Sequence, residues 1–117
     1  MADSTLGGTG CSLHESYALQ VLGDEMTPEF PDRCIVIVEP TETCVNQSYV
    51  FVEVEGVRWF RQYILDDDGA ERLVALNRLY PAIELRGLQW SVLGVIIQRN
   101  IRRQVKHYDR RDERHPS

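Results

Sequence analysis

The chain has 117 residues, 43% of them apolar and 26% charged, with a net charge of −5 at pH 7. That length carries one compact domain with its own core and excludes two, and the composition is that of a globular protein, not a disordered or fibrous one. No apolar stretch approaches the roughly 20 residues of a membrane-spanning helix, and residues 1–16 lack both the basic start and the apolar run of a secretory signal, so a membrane-free, cytoplasmic protein is expected.

Residues 1–16, small and polar at their start, are read as a flexible lead-in to a domain over 17–98. Tyr17, Leu19 and Val21 share one face of a first strand. The stretch GDEMTPEFPDR that follows is dense in turn formers, and Pro28 and Pro31 exclude a regular helix through it. CIVIVEP is a short β-branched run closed by Pro40 and reads as a strand buried on both faces. YVFVEVE at 49–55 alternates, with Val50, Val52 and Val54 facing one way. Gly56 then permits a tight reversal into VRWFRQYIL, where Trp59, Arg61, Tyr63 and Leu65 share a face. After a DDDG turn come the strand ERLVALN, the extended segment YPAIEL and the closing strand WSVLGVIIQ at 90–98. That closing strand reads equally as an apolar surface for pairing with a second chain or as the middle of the core. The sum is an all-β fold of six to seven short strands with at most one short helical turn.

Charge is unevenly spread. Residues 1–98 hold six arginines and fifteen acids, for −9, and residues 99–117 hold seven bases and three acids, for +4. The basic end reads as a solvated, frayed tail, or as an arm for an acidic partner or nucleic acid, the second weakened by Asp109, Asp112 and Glu113 within it. The three cysteines, Cys11, Cys34 and Cys44, are an odd number and argue against a disulfide framework. Cys34, opening an apolar run, reads as a core residue. Cys11 and His14 are spaced like half a metal site without a second half, and His107 and His115 lie in the charged tail, so no metal or other cofactor is expected.

GDEMTPEFPDRCIVIVEP at 23–40 resembles the box around the catalytic serine of LexA, UmuD and phage-repressor self-cleaving domains, with Gly23, Asp24, Met26, Pro28 and Asp32 matching. Farther on, YVFVEVEGVRWFRQYIL resembles the hairpin that bears the family's lysine, LVALNRLYPAIEL the segment with Asn77, Tyr80, Pro81 and Ile83, and LGVII the closing strand. Four motifs in order over about residues 17–98 imply the β-fold of the LexA and signal-peptidase type and Ser–Lys chemistry. The absence of a membrane anchor and the segment NRLYPAIEL favour the LexA-like group over the signal peptidases.

The departures fall on the chemistry. The resemblance places the nucleophile at Glu25 and the general base at Arg61. A Ser–Lys dyad needs a desolvated, neutral lysine to take the hydroxyl proton, and arginine stays protonated above pH 12. The only lysine is Lys106, beyond the last core strand, so no dyad is available elsewhere in the core. The histidines lie near the ends without a nucleophile-elbow pattern. Glu25 and Arg61 are complementary, and an ion pair filling the old site is expected. Arg33 stands where the family has glycine, which puts the shape of that turn in question. With 24 residues before Glu25, no DNA-binding head or cleavage segment is expected. The resulting expectation is a pseudo-peptidase acting by protein interaction in SOS or phage-type regulation. It would be a homodimer, or a heterodimer with a LexA- or UmuD-like protein, or would take a peptide in the old cleft. A residual serine-type peptidase and a nucleic-acid accessory protein acting through 99–117 are the alternatives.

Overall fold

The computed structural model describes residues 15–108. Among them are eight strands and no helix: β1 (Tyr17–Gln20), β2 (Ile35–Pro40), β3 (Tyr49–Val54), β4 (Val57–Leu65), β5 (Glu71–Val74), β6 (Ile83–Glu84), β7 (Trp90–Ile101) and β8 (Gln104–His107). They form one antiparallel sheet in the order β1-β2-β7-β3-β4-β5-β6, with β8 also paired to β7.

Period-two alternation sends the side chains of one strand into two cores. Val50, Val52 and Val54 of β3 are buried with Tyr63, Leu73, Leu85, Val92 and Val95. Tyr49 and Phe51, on the opposite face of β3, pack against a second cluster of Val21, Met26, Phe30, Cys34, Val36, Val38 and Ile96. Cys34 is thus a core residue, as its sequence setting suggested. β2 departs from expectation: Val36 and Val38 are buried, but Ile35 is exposed and Ile37 only half-buried. Its run of branched residues records β propensity, not burial on both faces.

The long β7 organises the sheet. Its first half pairs with β3, its second half with β8, and β2 runs along its other side. The apolar closing strand is therefore central in the sheet, paired on both sides over most of its length, and its buried residues belong to the core. Register shifts between Ile37 and Val38 on β2 and between Phe51 and Val52 on β3 mark bulges that bend β7. Gly94 lies at the closest approach, where a Cβ would stand 2.5 Å from Val38 Cγ1 and 2.8 Å from the Glu39 carbonyl oxygen.

Two hairpins close through two-residue turns with both central residues at positive φ, the turn whose twist suits a hairpin. Glu55 (φ 50°) and Gly56 (φ 82°) join β3 to β4, as the glycine predicted. Arg102 (φ 49°) and Arg103 (φ 73°) join β7 to β8. The closing strand, expected to end at residue 98, runs to Ile101, and residues 104–107 return along it. Residues 99–107, read as the start of a frayed tail, are strand, turn and strand within the sheet. The calls on Cys11, His14, His115 and the remaining tail fall outside the described residues.

Candidate functional site

The box lies between β1 and β2 and is held at both ends by main-chain bonds. Val21 N–H donates to Cys34 O at 2.8 Å and Arg33 N–H to Val21 O at 2.6 Å. Gly23 adopts φ +101°, and its N–H donates to Asp32 Oδ1 at 2.7 Å, so two residues matched to the family brace each other. Arg33 adopts φ +76°, the left-handed region a glycine takes without penalty. The turn thus keeps the geometry that glycine would serve, and arginine carries the strain. Met26 and Phe30 anchor the loop below, 1% and 0% exposed. Phe30 lies edge-on to Tyr49 and Phe60, with ring centroids 4.9 and 5.0 Å away. Pro28 is exposed and lies outside the cleft lining.

The segment after β5 clamps the box from the side. Asn77 N–H donates to Glu25 O at 3.0 Å, and its Nδ2–H to Asp24 O at 3.1 Å. The Tyr80 hydroxyl donates to Asp24 Oδ1, a bond to a carboxylate that raises the tyrosine's pKa. The main chain of the box is therefore positioned by Asp24, Asn77 and Tyr80, without help from the side chain at 25.

Glu25 and Arg61 both line one cleft of about 290 Å³. Its walls are largely apolar, with Leu19, Val21 and Leu22 on one side, Met26 below, and Trp59 and Phe60 across from them. Arg61, on β4, is 6% exposed. Its Nη1–H donates to the Phe60 carbonyl at 2.9 Å, its guanidinium carbon sits 4.9 Å from the centre of the Trp59 ring, and its Nε is buried without a partner. Burial lowers its pKa, opposed by the charges of Glu25 and Tyr80.

The expected Glu25–Arg61 ion pair does not form. Among the described residues no Arg61 nitrogen lies within 4.0 Å of a Glu25 carboxylate oxygen. The reason is local. Asn77 holds the Glu25 main chain, the Glu25 carboxylate folds back over Gly23, and Arg61 is drawn to the Phe60 carbonyl and the Trp59 face. The two charges sense each other without touching.

A hub invisible to the sequence lies on the far side of the box. Glu29 Oε2 accepts from Lys106 Nζ at 2.6 Å, Tyr108 OH at 2.6 Å and Arg99 Nη1 at 3.2 Å, and Arg99 Nη1 also reaches the Glu29 carbonyl at 2.7 Å. These partners stand 70 to 79 residues from Glu29, and no local pattern announces them. Lys106 is thus committed to Glu29 and does not line the cleft.

The described residues thus form an antiparallel all-β sheet with a turn-built box docked beside a cleft. Comparison with known families matches residues 6–97 to Peptidase S24-like, and the chain belongs to that family. Comparison with curated proteins gives no match. Among the described residues no helix is long and apolar enough to cross a membrane.

Proposed function

We propose that this chain is a non-catalytic member of the Peptidase S24-like family that uses the retained cleft to bind protein. The observation that carries the reading is the cleft lining: among the described residues it includes no serine, threonine, cysteine, lysine or histidine, and holds Glu25 and Arg61 where the LexA resemblance puts nucleophile and base. A guanidinium does not act as general base near neutrality, and Lys106 is engaged by Glu29. The partner is a second copy or a LexA- or UmuD-like protein offering an extended segment, in regulation of the SOS or phage type. The nucleic-acid reading is weakened because Arg99 and Lys106 of the basic end are spent on Glu29.

Two measurements test this. Intact-mass spectrometry of the purified chain over several days at pH 7 to 10 is expected to show no time-dependent loss, and a discrete cleavage product supports the peptidase alternative instead. A pull-down from nuclease-treated host extract is expected to retain a LexA-like, UmuD-like or polymerase partner on the wild type and lose it on Glu25→Ala/Arg61→Ala. Equal capture by both proteins removes the cleft from the function.

A further inference from the structure

The cleft contains a cation, Arg61, that no carboxylate among the described residues meets within ion-pair distance. Arg61 is almost fully buried, its hydrogen bond to protein is the one from Nη1 to the Phe60 carbonyl, and its Nε finds no acceptor. The nearest candidate counter-charge, Glu25, is half-buried in the same lining yet beyond ion-pair distance. A buried guanidinium without a matching anion is unfavourable, and its planar fork suits a carboxylate. The Trp59 ring, 4.9 Å from the guanidinium carbon, helps to fix the plane of that fork.

The surroundings define what would bring the carboxylate. The lining is mostly apolar, and Leu22 at its edge is 73% exposed. A volume of about 290 Å³ is at the small end for ligand pockets, enough for a side chain and its neighbours but not for a folded surface. Among the described residues β1 is the last strand of the sheet, and residues 19–22 line the cleft, so an extended segment laid in the cleft runs alongside that strand.

We propose that the cleft recognises an acidic side chain flanked by apolar residues in an extended segment of a partner, with the carboxylate on the Arg61 guanidinium and the flanking side chains against Leu19, Leu22, Trp59 and Phe60. The inference rests on the reading of the cleft as a protein-binding site and names the chemistry it selects. Glu25, an acid in the same lining, opposes the incoming carboxylate and sets its affinity.

The test uses the full chain and two pools of blocked pentapeptides. Both are randomised over Val, Leu, Ala and Phe at the outer four positions, with a central Glu in one pool and a central Gln in the other. The Nε–H signal of ¹⁵N-labelled Arg61 is followed by NMR during titration. The expected result is that the Glu pool binds at least about tenfold more tightly than the Gln pool, the size of one charge-assisted hydrogen bond, and moves the Arg61 signal. Glu25→Gln is expected to widen that ratio and Arg61→Met to collapse it towards one. Equal binding of the two pools to the wild type and to Glu25→Gln overturns the carboxylate while leaving a protein-binding cleft. Binding of neither pool overturns both readings. Because the decisive comparison is between ligands on the wild type, it stands even where Arg61→Met fails to fold.

Discussion

Replacing Glu29 by glutamine is the sharpest test of how the chain is tied together. The glutamine amide oxygen can still accept, but the charge that holds Arg99 and Lys106 is gone. Arg99 and Glu29 are 18% and 25% exposed and Lys106 is 50% exposed, so the Lys106 contact is discounted for solvent and the Arg99 contact carries most of the effect. Removing one partner of a fully buried pair costs about 3–5 kcal/mol, and a partly buried one with polar replacement is expected to cost about 2–3. At roughly 4 °C per kcal/mol for a domain of this size, Tm falls by about 8–12 °C. The acid limb gives an independent check. Burial alone would raise the Glu29 pKa, but hydrogen bonds from Lys106 and Tyr108 and the charges of Lys106 and Arg99 outweigh it, and the pKa lies below its ordinary 4.5. A group with a depressed folded pKa stabilises above its unfolded value and loses that contribution as pH falls through the folded one. The gap in stability between wild type and Glu29→Gln is therefore full at pH 7 and closes below pH 4.5. Urea titrations of both proteins from pH 7 to pH 3 measure it. A gap under about 0.5 kcal/mol at pH 7, or one that does not shrink in acid, refutes the account of Glu29 as the ionised hub.

The strained backbone positions give two predictions of the opposite sign. Arg33→Gly removes a side chain from φ +76° and is expected to stabilise by about 1 kcal/mol, the left-handed penalty less the entropy glycine adds to the unfolded chain, read as a shift in urea midpoint at constant slope. Arg102→Asn with Arg103→Gly installs the residues preferred at the two positive-φ positions of the β7–β8 turn and is expected to add about 1–2 kcal/mol. A destabilised or unchanged double variant would mean that those arginines make contacts that offset their backbone cost.

The alternation of Val50, Val52 and Val54, the glycine turn at 56 and the β-branched runs made the sheet legible, because burial and pleat share a period of two. The eighth strand was not legible because its turn is Arg102–Arg103, and two arginines carry none of the turn chemistry that Glu55–Gly56 carries. Charge composition also hid it: a run with seven bases reads as tail until Glu29 is known to fold over and collect three of its groups. In the site, the box and the NRLYP segment were both visible as motifs, but not that Asn77 and Tyr80 exist to hold Asp24 and Glu25. The ion pair was inferred from complementary charge, and failed because side-chain direction is decided by main-chain anchors and aromatic faces that composition does not contain.

That failure bears on what the residues of the cleft contribute to the fold. The bonds that shape the box run through the main chain of Glu25 and through Asp24, Asp32, Asn77 and Tyr80, none of which needs a particular side chain at position 25. Scaffold and chemistry are therefore separable here: residue 25 can change without moving the loop. Position 61 is different. Its side chain is buried on a central stretch of β4, where an aliphatic residue would be cheaper to fold than an unmatched guanidinium. Stability alone accounts for the box and does not account for Arg61, and that asymmetry points to Arg61, not to Glu25, as the residue that would meet a ligand.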